Sequence, residues 1–294
     1  MKKKILLSIL CFAILIVLLF ISILITKPVL IKEFKDTLVN TKNTIEVKNS
    51  QEYKNLKSAD KSKKYYKDEK NIKIPILLYH QIPTKKSKRE DYYVCTTAKQ
   101  FEKQISGLKD LGYTFITYED LVKYNNNEIP LPEYVVLLSF DDGYLDNYEN
   151  AFPIVKKYNI PINIFVIDDC VGSSGYFSWK QAKEMEESGL VHIYTHGKVH
   201  IPYGNESADT VKEYISYAHK HLEEELGHET LKVFAYPYGS CSDDSINALS
   251  ELKFIQNLLG EQYNTSDSLN LNKLTRIYAK QNYNVYSILK LILF

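Results

Sequence analysis

The run Val135-Val-Leu-Leu-Ser-Phe140 stops abruptly at Asp141-Asp142-Gly143, and this junction constrains the fold more than any other stretch of the chain. A short, almost wholly apolar run without polar alternation reads as a strand buried on both faces, the kind found in parallel sheets. Such sheets gather ligands at the carboxyl ends of their strands, which is where the two aspartates fall. Successive strand residues point to opposite faces, so the pair can divide its work, one carboxylate holding a cation and the other facing a reactant. Two anions this close repel each other, and a bound metal ion would relieve that. Taken alone, the same residues also fit a solvated Asp-Asp-Gly turn. They do not fit an EF-hand loop, because the alternating Asp/Asn register and the terminal Glu are missing.

The flanking sequence repeats this grammar. Residues 74–80, 113–117, 162–167, 190–195 and 231–236 are strand-like, while 98–112 place Phe101, Ile105, Leu108 and Leu111 on one helical face, and a second helix carries Val211, Ile215, Leu222 and Leu226. Strands alternating with helices predict an α/β fold with a parallel sheet, and about 220 residues suit a closed barrel better than a small open sheet.

Ahead of this region lie Lys2-Lys3-Lys4 and an apolar run over 5–25. At about 1.5 Å per residue that run covers roughly 30 Å, enough to cross a bilayer. With no small-x-small cleavage site after it, residues 1–26 read as a signal anchor, a single transmembrane helix. The three lysines favour the amino terminus inside and everything later outside, so the chain is expected at the cell membrane, single-pass, with its folded part extracellular. Residues 27–73, rich in Lys and Asn, read as a stalk or linker with at most transient helix. Residues 74–294 are the folded domain.

Residues 1–74 hold 16 Lys against 7 acids, a balance of +9, whereas 75–294 hold 21 basic and 29 acidic residues, a balance of −8. An acidic body argues against nucleic acid as a partner. The basic leader suits anionic lipid or an anionic wall polymer. Cys11 lies in the leader, and Cys95, Cys170 and Cys241 share no metal-type spacing and leave at most one disulfide pair, so they read as structural or incidental.

Unusual polar residues cluster at expected strand ends: His80, Asp141-Asp142, His196 with His200, and Tyr236-Pro237-Tyr238-Gly239. His196 and His200 are four apart, so one helical turn or a tight loop brings both imidazoles to one side. With Asp142 they would make three ligands and leave a position open for water or substrate, as catalytic zinc sites do. His-x-x-x-His alone equally fits satisfied core or exposed histidines, and it is the conjunction that points to a site. His192, His219, His221 and His228 read as structural.

The ordered set Ser139-Phe-Asp141-Asp142-Gly143, His196-x-x-x-His200 and Tyr236-Pro237-Tyr238-Gly239 resembles the three motifs of the polysaccharide deacetylases of the NodB-homology type, carbohydrate esterase family 4. The resemblance spans residues 74–280. It implies a distorted (β/α) barrel and removal of N-acetyl groups from a sugar polymer. It also implies Asp142, His196 and His200 as ligands to Zn2+ or another divalent transition metal, Asp141 as general base, and the Tyr238 backbone N–H as a donor to the oxyanion, with Pro237 and Gly239 shaping that loop. The family's late Leu-x-His motif is missing. Leu77-Leu-Tyr-His80 has the same character but comes early, which resembles the circularly permuted branch acting on poly-N-acetylglucosamine of biofilms, and His80 becomes the expected general acid. The third motif's usual Arg is absent, with Ala235 in its region, and Arg276 is the candidate replacement. Gly197 stands where a Ser or Thr commonly braces the ligand loop. Trp179 reads either as a helix-start residue packed on the barrel or as a platform for a sugar face. The expected function is a membrane-anchored extracellular deacetylase of an N-acetylglucosamine polymer, biofilm poly-N-acetylglucosamine ahead of cell-wall peptidoglycan. The alternative class is a glycan-binding relic that has lost turnover.

Overall fold

Short apolar runs bounded by turns close into a parallel ring in the computed structural model of the chain, which describes residues 28–58, 72–85 and 95–294. In chain order the elements begin with α1 (Pro28–Asn49), α2 (Gln51–Ser58), β1 (Lys73–Ile74), β2 (Ile76–Tyr79), α3 (Ala98–Asp110), β3 (Thr114–Ile116), α4 (Tyr118–Asn125) and β4 (Val135–Phe140). There follow α5 (Phe152–Tyr158), β5 (Ile162–Val166), α6 (Trp179–Glu187), β6 (Val191–Thr195), α7 (Ala208–Leu226), β7 (Val233–Ala235), α8 (Asp243–Glu251), β8 (Ile255–Leu259), β9 (Asn264–Thr265), β10 (Leu274–Tyr278) and α9 (Val285–Leu293).

Strands β2, β10, β8, β7, β6, β5 and β4 neighbour one another in that order, and β4 pairs back with β2 to close the ring. Every pairing in it is parallel, and β3 attaches to β4 from outside. The ring is weakest between β6 and β7, which meet through one register pair, Thr195 with Phe234. The expected distorted (β/α) barrel is therefore what forms.

Two-residue alternation sorts the side chains. Val135 and Leu137 point into the lumen with Ile76, Phe165, Tyr194, Ala235 and Ile255, while Val136, Leu138 and Phe140 point out against Phe101, Ile105 and Leu108 of α3. Burial on both faces explains the unbroken apolar run of β4. Burying one such side chain contributes roughly 1.5–3 kcal/mol. The helices start where short hydroxyl residues cap them: the side chains of Thr97, Thr117, Ser178, Ser207 and Ser242 each accept a backbone N–H from the first turn that follows.

The amino-terminal region departs from expectation. Where composition predicts a solvated stalk, α1 and α2 are formed, and they dock on α9 with Val47 and Leu56 buried. Much of this interface is polar. Asn40 donates to the Asn282 carbonyl at 2.6 Å and accepts from the Asn284 amide at 3.1 Å and from Ser287 Oγ at 2.6 Å. The predicted anchor, residues 1–26, and Cys11 lie outside the described residues. Among the described residues no helix is long and apolar enough to cross a membrane. Among the described residues Cys95, Cys170 and Cys241 form no disulfide.

Candidate active site

At the carboxyl end of the ring, Asp141 continues the inward parity of Leu137 and Ser139 and meets Arg276, which β10 sends into the lumen. Arg276 is fully buried and grips the carboxylate with both arms, Nη1 to Oδ1 at 2.5 Å and Nη2 to Oδ2 at 2.8 Å. Burial alone would raise the Asp141 pKa, but the Arg276 guanidinium first, and then His196, outweigh it and hold the carboxyl well below the usual range. Arg276 thus holds the Asp141 carboxylate from a strand remote from the third motif; it is the residue the sequence offered for the missing motif arginine.

Asp142 turns the other way. Its φ of +77° is a left-handed conformation costly for a residue with a Cβ, and such strain concentrates at functional sites. Its Oδ1 lies 3.5 Å from His196 Nε2 and 3.4 Å from His200 Nε2. One donor atom from each of these three residues falls within 4.8 Å of the other two. On the far side of each ring, His196 Nδ1 meets the Ala235 carbonyl at 2.8 Å and His200 Nδ1 meets Tyr238 Oη at 3.0 Å, so both Nε2 atoms face the same space.

The electrostatics are those of a site short of positive charge. Asp142 is pushed up to about 6, chiefly by burial and then by Asp141. Burial drops His196 to about 3 and lowers His200. Asp142 Oδ1 is buried with no hydrogen-bond partner, which is costly in a folded interior unless a cation meets it. A carboxylate and two neutral imidazoles presenting lone pairs to one point fit a divalent metal of the zinc type.

Loop 196–200 is not helical; it is braced locally. Gly197 has φ +97°, and a Cβ there would come 2.5 Å from Tyr203 Oη, so the Ser or Thr usual at this position would not fit. The missing hydroxyl is supplied from either side: Thr195 Oγ1 accepts the Gly197 amide at 2.9 Å and Tyr203 Oη donates to the Val199 carbonyl at 2.9 Å. The loop backbone is thus hydrogen-bonded on both sides of the glycine.

His80, just past β2, reaches the same mouth because β2 lies between β4 and β10. The Asp141 amide bonds to the Tyr79 carbonyl at 3.0 Å, and His80 stacks parallel on Tyr278 with ring centroids 6.0 Å apart. Burial lowers its pKa against the pull of Asp141 and Asp142, and its Nδ1 is buried without a partner. Pro237 is buried, and Gly239 sits where a Cβ would come 2.6 Å from Leu259 Cγ. Trp179 opens α6, packs on the outer core and meets His221 edge-on at 5.8 Å; among the described residues no ring contact or hydrogen bond joins it to the ligand triad. The other histidines pair with acids: His221 with Asp168 at 2.7 Å, His228 with Glu186 at 2.9 Å, His219 with Glu223 at 3.2 Å and His192 with Glu119 at 3.5 Å.

Sequence reasoning passed over three supports. Asn147 donates to the His80 carbonyl at 2.8 Å, Ser139 Oγ donates to the Leu77 carbonyl at 3.0 Å, and Tyr144 stands within side-chain hydrogen-bonding reach of Asp142. Their only signal in the sequence is proximity to Asp141-Asp142.

The polysaccharide deacetylase family pattern matches residues 128–256. Over 199 residues the chain is 30% identical to Bacillus subtilis YxkH, named for polysaccharide deacetylation, a match covering 65% of this chain and 66% of that one. Over 215 residues it is 32% identical to the poly-β-1,6-N-acetyl-D-glucosamine N-deacetylase of Staphylococcus epidermidis, covering 66% of this chain and 74% of that one. The matches thus span about two thirds of the first of these relatives and three quarters of the second. Among solved structures, the Streptococcus pyogenes deacetylase PplD in complex with acetate superposes with a TM-score of 0.69 at 28% identity, covering 76% of this chain and 99% of that one.

Proposed function

The chain belongs to the polysaccharide deacetylase family, hydrolases of amide-linked acetyl groups, and from that premise we propose that it removes N-acetyl groups from poly-β-1,6-linked N-acetylglucosamine with a divalent metal, Zn2+ first among them. The observation that carries this reading is the convergence of Asp142, His196 and His200 beside an Arg-braced Asp141 and a buried His80. Asp142, His196 and His200 would hold the metal, which when bound supplies Lewis acidity at the acetyl carbonyl and makes nearby water more acidic. Asp141, kept ionised by Arg276, accepts the proton that the attacking water gives up. By the family likeness, the Tyr238 backbone N–H would donate to the developing oxyanion. His80 donates a proton to the nitrogen as the C–N bond breaks, so the products are acetate and an amine. The low pKa of Asp141 makes it a weak base by itself, and it suits a water already acidified.

The likeness to the Staphylococcus epidermidis enzyme and the early position of His80 favour the β-1,6-linked polymer over peptidoglycan. The apolar run over 5–25 supports a membrane-tethered enzyme with its mouth outside the cell. Acetate release by the full-length protein from each purified polymer tests the substrate. Chelation should abolish release and Zn2+ restore it, and Asp142→Ala or His196→Ala should lose both metal and turnover. Undiminished release from a metal-free variant would sink the mechanism.

A further inference from the structure

The geometry points to Tyr238 as a positioning residue that orients His200 through its phenol, a role separate from that of its backbone N–H. This rests on the metal-site reading above and deepens it. If His200 Nε2 gives its lone pair to a cation, Nδ1 must carry the ring proton and needs an acceptor, and Tyr238 Oη is there at 3.0 Å. His196 has the equivalent arrangement, with the Ala235 carbonyl accepting from Nδ1 at 2.8 Å. The two ligands therefore differ in what stands behind them. One leans on main chain deep in the barrel. The other leans on a side chain that is 66% exposed.

The position of that phenol is built rather than incidental. Tyr238 adopts φ +58°, a left-handed conformation that costs a residue with a Cβ on the order of 1 kcal/mol or more. The turn is pinned from below, since Gly239 packs so closely on Leu259 that a Cβ could not be added. Held this way, the Tyr238 ring lies over His200 with centroids 4.4 Å apart and planes at 58°. Phenylalanine would keep the backbone N–H, the turn and the ring, and would remove only the acceptor.

The test uses the full-length protein with Tyr238→Phe, His200→Asn and Asp142→Ala, measuring Zn2+ affinity by competition with a chromophoric chelator and acetate release as a function of Zn2+. Outer partners of metal-bound histidines typically govern 10- to 100-fold in affinity, so Tyr238→Phe is expected to weaken Zn2+ binding by about that factor. Its ion-free melting temperature should stay unchanged, and activity lost at limiting Zn2+ should return with excess. Wild-type Zn2+ affinity in Tyr238→Phe would overturn the assignment. So would a fall in turnover that excess Zn2+ does not relieve while affinity is unchanged, because the phenol would then act on substrate. If His200→Asn and Asp142→Ala also bind Zn2+ like the wild type, the metal-site reading itself fails, and that failure is distinguishable from the first.

Discussion

A carboxyl buried beside another carboxylate resists ionising, and Asp142 carries that cost until a cation arrives. Its pKa is raised from 3.8 to about 6, so the ion-free fold binds a proton that the unfolded chain releases earlier. The contribution of this carboxyl to stability is then greatest at acid pH and declines as pH rises from about 4 through 6, by roughly 3 kcal/mol in all. Asp142→Asn is accordingly expected to raise the melting temperature of chelator-treated protein at pH 7.5, to gain much less at pH 4, and to abolish stabilisation by Zn2+. Calorimetry at both values, with and without metal, checks this. Asp141 is the reverse case, a buried anion already matched by Arg276. Arg276→Ala strands that charge and should cost about 3–5 kcal/mol in urea unfolding. Pairing Asp141→Asn with Arg276→Met should recover much of this stability while leaving no acetate release. Sequence could single out Asp142, His196 and His200 because they fall together at expected strand ends in an order that resembles one family, and it offered Arg276 only as a candidate for the missing arginine. It could not show that the Tyr238 side chain stands behind His200, since that depends on a left-handed turn that spacing does not encode.

At the scale of elements, β4 was legible as an unbroken apolar run buried on both faces, and α3 by the three- and four-residue steps that bury Phe101, Ile105 and Leu108. The pair α1–α2 was not. Its large apolar residues Phe34, Leu38, Val39 and Ile45 face outward, while Asn40, Asn43, Thr44 and Val47 make the docking surface. A helix that docks through asparagines leaves no hydrophobic stripe for a periodicity reading to find. The docking makes a prediction that a solvated stalk would not. Asn40→Ala removes one side of three hydrogen bonds and should cost about 1–3 kcal/mol by chemical denaturation; a silent substitution would mean that α1 does not hold to α9. Gly197→Ser carries the complementary expectation. It meets Tyr203 Oη and a positive φ at once, so it should loosen the ligand loop and lower Zn2+ affinity, measured by chelator competition.

Across the whole molecule, chain order and spatial order diverge. His80 follows the first strand of the ring and Arg276 sits on the last, yet β2 lies between β4 and β10, so both arrive beside Asp141. A closed ring has no first strand, so an early histidine arrives at the place expected of a late one. The closure also fixes when the enzyme becomes competent. During translation Asp141, His196, His200 and His80 leave the ribosome well before Arg276, and until β10 emerges the ring stays open and Asp141 has no countercharge. Nascent chains halted before residue 276 should therefore stay protease-sensitive and silent toward acetylated polymer, however completely their metal ligands have been synthesised. On that expectation one strand does two things at once, closing the barrel and delivering the cation that Asp141 lacks.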